Sequence, residues 1–265
     1  MSWPWPLLAL GAFALLLLLE SLVPLRVERS GKGVRVTRNL TLASLSYGIV
    51  FLAQMPLLQA LASWEATHGY GLLRYAPEPG VVRFAIVFLF LDYTLWVWHW
   101  LNHKLPFLWR FHLVHHIDRD LDASTGVRFH FGEMTLSISF RAAQVALLGG
   151  GLDVVNLWQA ALFASVLFHH SNVRLPARLD AALAHLVVTP RMHGIHHSTV
   201  RTETDSNWSA LLTLWDRLHG TLRLDVPQER IVIGVPAFAT DRDVTLPAIV
   251  ALPFGKQRDD WREHG

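Results

Sequence analysis

Residues 109–118, WRFHLVHHID, hold three histidines in five positions, His112, His115 and His116, and the same spacing returns in RMHGIHHSTV as His193, His196 and His197. On a helix, positions i, i+3 and i+4 share a face, so the rings of each triplet point much the same way. Crowding titratable rings is unfavourable unless something positive takes their lone pairs and keeps them neutral, which a transition metal does. Two pairs extend the set: His99 and His103 in HWLNH, and His169 and His170 in HHSN. His99 and His103 lie one turn apart, a rise of about 6 Å, so both can reach one ion or two adjacent ones. Alone, HWLNH reads equally well as an interfacial helix end, because Trp96, Trp98 and Trp100 surround it. Beside the two triplets, ligation is the stronger reading.

This many imidazoles exceeds the about four to six ligands of one first-row ion, so two metals are implied. Nitrogen ligation suits iron, zinc, copper or nickel and argues against magnesium and calcium. Redox-active iron at a membrane face points to oxygen activation against a lipid. A zinc pair would point to hydrolysis, but the chain has no His-Glu-x-x-His motif.

The elements that must position these residues are apolar. Of 265 residues, 52% are hydrophobic and 17% charged, against about a quarter charged in soluble domains. The formal charge of +2 gives no reason to expect a nucleic-acid partner. With no cysteine, disulfides, zinc-thiolate sites and iron–sulfur ligation are excluded. Apolar runs at 7–25, 40–62 and 81–103 have the length that crosses a bilayer, and 134–170 reads as a hairpin broken at Gly149, Gly150 and Gly151. The first run lacks a basic flank and a cleavage site, so a retained helix is expected rather than a signal peptide.

Arg26, Arg29, Lys32, Arg35 and Arg38 follow the first run, whereas 63–80 offers Arg74 against Glu65 and Glu78. The first loop is therefore expected on the cytoplasmic side. His99, His103, His169 and His170 then reach that side, as does the basic stretch with Lys104, Arg110, Arg119 and Arg128. VTLPAIVALPF, near the end, is too short and proline-rich to span. The expected fold is all-α: an integral membrane bundle of about four transmembrane helices plus a membrane hairpin region, under a histidine-rich cytosolic cap. A single membrane domain is expected over 1–265, with N-terminal helices to 80, a histidine-box region at 81–221 and a cytosolic tail at 222–265. A bacterial inner membrane fits the short loops.

The run from LDYTLWVWHWLNHKLPFLWRFHLVHH through RFHFGE, FHHSNVRLP, VTPRMHGIHHS and NWSALLTLWDRLHGT closely resembles the fatty acid hydroxylase and sterol desaturase superfamily of integral-membrane non-haem diiron enzymes, over about 91–221. The resemblance implies a cytosolic dimetal centre that uses dioxygen and two electrons to hydroxylate or desaturate a lipid. By motif position it implies His99, His103, His112, His115, His116, His170, His193, His196 and His197 as metal ligands. His130 stands where similar proteins often have Arg-x-His-Pro-x-Glu, with Phe131 replacing the proline, and reads either as a further ligand or as a group oriented by Glu133. His219 replaces the usual aromatic after WDRL.

For His169, packing is the expected role, and His68, His185, His219 and His264 are expected to be surface or packing residues. Asp92 reads equally as a hydrogen-bond partner of a ligand imidazole or as a salt bridge to Arg83. Asn172 and Asn207 resemble polar family positions that hold water near the metals, and Asp216 with Arg217 reads as an ion pair pinning the cap. The chain carries no flavin, nicotinamide or haem-attachment fingerprint, so a separate donor (a ferredoxin, small cytochrome or reductase) is expected at the basic face. A bis-histidine haem electron carrier and a metal transporter are the competing classes. The triplets waste most of their rings in the first, and the boxes sit at one helix end rather than at the midplane in the second. Substrate identity, hydroxylation against desaturation, and oligomeric state have no signature in the motifs.

Overall fold

The computed structural model describes residues 5–75, 80–149 and 152–261. Glu78, Gly150, Gly151 and His264, named above, lie outside them. The described residues are all-helical, with isolated bridges such as Pro24 to Val173 in place of strands.

Helix α1 covers Trp5–Leu22, and α2, Lys32–Ile49, runs through a π-turn at Val50–Gln54 into α3, Met55–His68, as one 37-residue rod. The π-turn has a local cause: Pro56 offers no N–H and its ring crowds the carbonyl one turn back, so the backbone widens there instead of breaking. Gly69, in the left-handed region with φ of 60°, closes α3 and donates its N–H to the Glu65 carbonyl. Helix α4 spans Gly80–Lys104, and Leu105 turns extended ahead of Pro106, which starts α5, Pro106–His116. The hairpin is α6, Phe131–Leu148, and α7, Leu152–His170. The cap carries α8, Ala177–Leu183, α9, Pro190–His196, α10, Arg201–Thr204, α11, Leu214–Leu218, and α12, Leu246–Ala251.

Three helices are long and apolar enough to cross a membrane: Lys32–His68, Gly80–Lys104 and Leu152–His170. Helix α1 is apolar but shorter over Leu7–Leu22, and α6 carries Glu133, Arg141 and Gln144 among its buried residues. The all-helical membrane class is as expected; among the described residues three helices qualify as spans, with α1 shorter and α6 polar-faced. Leu7, Leu15, Val34, Leu45, Phe51, Leu52 and Val81 are exposed on the outside of the bundle, where water would not tolerate so continuous an apolar surface. With the spans, this makes the chain an integral membrane protein.

Inside, Leu58, Val87, Leu91, Val145, Val155 and Trp158 knit α3, α4, α6 and α7 together. A second core joins Leu42 of α2, Leu113 and Val114 of α5 and Ile117 just beyond it to Val235, Phe238 and Ile249, so these residues after 222 pack against the helices.

Two readings of charge need correction. Lys32, Arg35 and Arg38 belong to α2 rather than to a loop, and Arg35, only 1% exposed, faces Asp118, Asp120 and Asp122, with Nη2 2.6 Å from Asp122. The Asp120 carboxylate accepts from the N–H groups of Arg29 and Ser30, tying the chain just ahead of α2 to the loop after α5. The basic stretch at 104–128 is partly paired: Lys104 meets Asp205, Arg119 meets Asp241, and Arg128 is fully buried against the Val114 carbonyl and Asn39, whereas Arg110 has no ion pair among the described residues. These pairings are long-range, so a count of basic residues along the chain cannot see them.

Candidate metal centre

Nine histidines meet where α4, α5, α7 and α9 converge. They form two groups of ring nitrogens, each within 4.8 Å of one another: His99, His103, His112, His116 and His196 in one, and His115, His170, His193 and His197 in the other. These are the nine residues that the motifs single out. The triplets do not act as units, however. Each divides between the groups, His112 and His116 parting from His115, and His193 and His197 from His196. Positions i and i+4 stay together while i+3, rotated about 60° from i by the helical repeat of 100° per residue, turns to the neighbouring group. The groups adjoin: the His116 and His197 rings stack at 4.3 Å.

In the five-histidine group, three Nδ1–H groups point outward to fixed acceptors. His99 donates to the Trp208 carbonyl at 2.7 Å, His196 to the Ser206 carbonyl at 2.8 Å and His112 to Glu133 Oε1 at 2.9 Å. Such partners fix the tautomer and turn Nε2 inward. All five Nε2 atoms are buried without a protein partner, which a fold does not tolerate for polar atoms unless something else satisfies them. In the four-histidine group, His170 donates Nδ1–H to the Val166 carbonyl at 2.7 Å. Its Nε2 lies 3.0 Å from that of His115 and 2.9 Å from that of His193, and the His193 and His197 Nε2 atoms are 3.1 Å apart. That spacing suits donors sharing one cation. Burial holds His115, His116, His193 and His197 well below the ordinary imidazole range, and His196 at about 3, so their lone pairs are available at neutral pH. Orphaned inward nitrogens in the five, and Nε2 atoms crowded 2.9–3.1 Å apart in the four, form an all-imidazole donor set that fits two transition-metal ions, one per group.

His130 joins neither group among the described residues. Its Nδ1 accepts the Gly132 N–H and caps α6, while Nε2 faces the Val250 carbonyl. Glu133 does orient an imidazole, but it is that of His112. His169 packs with its ring centre 4.2 Å from that of His193 and lies outside both groups.

Asp92 meets neither expected partner and accepts from Trp215 Nε1 at 2.7 Å and the Leu212 N–H. Asn172 clamps the backbone of Arg26 on both sides, and Asn207, at φ of 53°, binds Met192 and Arg223 carbonyls and the Arg223 N–H, so both hold the chain rather than a water. Asp216 pins the cap by accepting from Trp96 Nε1 and the N–H groups of Trp208 and Ser209, while Arg217 goes to the Ala184 carbonyl, so no ion pair joins them. His219 stacks on Trp96 at 4.1 Å, filling the aromatic's place. The carbonyl partners of the ligand rings escape sequence reasoning because every residue has a carbonyl. Glu133 stands in RFHFGE, and the ring it orients is that of His112 rather than His130.

A cavity of about 280 Å³ opens among the helices and reaches both histidine groups. Tyr47, Leu95, Trp98, Phe129 and Phe163 wall it, with His99, His112, His115 and His170 at its inner end.

The sequence profile described as fatty acid hydroxylase matches residues 84–221. The chain is 35% identical over 150 residues to ornithine lipid hydroxylase OlsE of Rhizobium tropici, covering 55% of this chain and 44% of that protein. Alkylglycerol monooxygenase of Homo sapiens is 25% identical over 200 residues, 73% of this chain and 42% of that protein. Cholesterol 25-hydroxylase of Homo sapiens is 30% identical over 159 residues, 56% of this chain and 54% of that protein. These matches span 42–54% of the relatives' own lengths. No solved structure matches the chain.

Proposed function

The chain belongs to the fatty acid hydroxylase family, and from that premise we propose that it is a membrane-bound, non-haem diiron oxidoreductase that inserts oxygen from dioxygen into a lipid. One observation carries the reading: nine buried or half-buried imidazoles divide into a five and a four, with the inward nitrogens of the five unpartnered, beside a largely apolar cavity. A haem carrier uses two axial histidines per haem and would leave most of the rings in convergent sets of five and four without a role. Relatives named as hydroxylases and monooxygenases favour hydroxylation over desaturation.

His99, His103, His112, His116 and His196 would hold one iron, and His115, His170, His193 and His197 the other. The irons supply the redox chemistry, in which dioxygen, two electrons and two protons turn a C–H bond into C–OH and release one water. The chain's own task is positional. Glu133 and the carbonyls of Trp208, Ser206 and Val166 lock four rings in the ligating tautomer. Phe129, Leu95, Trp98 and Phe163 exclude water and guide an apolar chain toward the histidines. Electrons come from a separate protein donor, because the chain holds no cysteine and no flavin or nicotinamide fingerprint. The centre faces the cytoplasm, in a bacterial case at the inner membrane.

The test is elemental analysis of the purified, detergent-solubilised protein with its visible spectrum. About two irons per chain without a Soret band is the expected result. Haem absorbance, or a native fold and activity without metal, overturns it.

A further inference from the structure

The cavity has a second polar feature away from the histidines. Arg141 stands eight residues beyond Glu133 on α6, about 12 Å along the helix, and borders the cavity while only 9% exposed. Its Nη1 donates to Gln144 Oε1 at 2.6 Å, and its guanidinium lies 4.4 Å over the Trp158 ring. Among the described residues no carboxylate pairs with it, and Nε and Nη2 have no hydrogen-bond acceptor. The one carboxylate lining the cavity, Glu133, is engaged by His112. A cation without a counter-charge inside an apolar bundle is costly and marks a binding site by default.

Two further groups reach the same cavity. Gln54 is the buried residue of the π-turn and donates Nε2 to Gln159 Oε1 at 3.0 Å, and both side chains line the cavity. π-turns inside long helices gather at functional sites, and this one delivers a polar group to the cavity wall. Arg141, Gln54 and Gln159 thus come from three helices, and among the described residues no carboxylate pairs with the arginine.

We propose that Arg141 anchors the acidic group of a single-chain lipid, a carboxylate or a phosphate monoester, so that carbons along the chain rather than its head meet the histidines. This rests on the lipid-oxygenase reading above and adds a substrate class to it. A cavity of about 280 Å³ accommodates one chain rather than two. A neutral sterol or alcohol would leave the guanidinium without a counter-charge, whereas an anion gives it charge-assisted hydrogen bonds in a low-dielectric site.

Binding tests this without turnover. A doxyl-labelled stearate immobilised by the full-length, metal-loaded protein in detergent is competed with palmitate, hexadecyl phosphate, hexadecanol and methyl palmitate, read by electron paramagnetic resonance. One or both anions should compete at concentrations at least about tenfold lower than the neutral chains, and the stronger anion identifies the acidic group. Arg141→Gln should abolish that preference and Arg141→Lys retain it, with melting temperature and iron content unchanged. Equal competition by hexadecanol in the unsubstituted protein, or an anion preference that survives in folded Arg141→Gln, overturns the proposal. Failure to load iron would sink the oxygenase reading, whereas an iron-loaded protein indifferent to charge sinks only this inference.

Discussion

At the scale of single residues, the centre is divided more finely than the motifs suggest. His115 and His196 belong to different groups although they occupy the same kind of position in their triplets. Replacing either with Ala should lower the iron content from about two per chain to about one and abolish turnover in a protein that still inserts. Full activity with either change would end the metal-centre reading. His130→Ala should keep both metals and cost about 1 kcal/mol of stability through the lost helix cap, measurable as a lower melting temperature. Glu133→Gln removes the charged acceptor of His112 Nδ1–H and should weaken iron binding about 10- to 100-fold in a chelator competition. RFHFGE made both residues visible in the sequence, but their partners lie 21 residues upstream for Glu133 and 120 residues downstream for His130. No local pattern encodes such partners.

At the scale of elements, the loop after α5 is fastened to α2 by buried charge. Arg35→Ala would leave Asp122 without its counter-charge while Asp118 keeps Arg128 and Arg38, a loss of about 3–5 kcal/mol for a broken buried pair, read in thermal unfolding. Asp118 also sets a pH dependence. Burial by itself would raise its carboxyl, but Arg128, Arg35 and Arg38 override that and hold it below the usual carboxylate value. A depressed folded value means the stabilisation is complete above the unfolded value of about 4 and is lost as pH falls through the folded one. The stability gap between the unsubstituted protein and Asp118→Asn should therefore be full at neutral pH and shrink below about pH 4. A gap that widens in acid would show that the arginines do not govern this carboxylate.

At the scale of the whole molecule, the spans separate a capped end that carries the histidines from the far end of α3. Because the 265-residue chain has no cysteine, single introduced cysteines report sidedness directly. Asp225→Cys in the cap should react with an impermeant maleimide only in inside-out vesicles, and His68→Cys at the far end of α3 only in right-side-out cells. The reverse pattern would place the histidines outside and require a different electron source. This experiment also replaces the argument from basic residues, since Arg35 and Arg128 prove to be buried partners of acidic and polar groups rather than anchors in a cytoplasmic loop.

The sequence alone determined the all-helical, membrane-embedded class, because apolar runs of spanning length have few other solutions. It also determined the nine histidines, because helical spacing and repetition are local properties that survive without coordinates. Tertiary structure decided what depends on the crossing of distant helices. It set the division of each triplet between two groups, the orienting of His112 by Glu133, the Trp215 partner of Asp92, and the lone Arg141 in the cavity wall. Periodicity fixes which face of a helix a residue occupies, but what that face meets is set by packing between segments that are far apart in the chain.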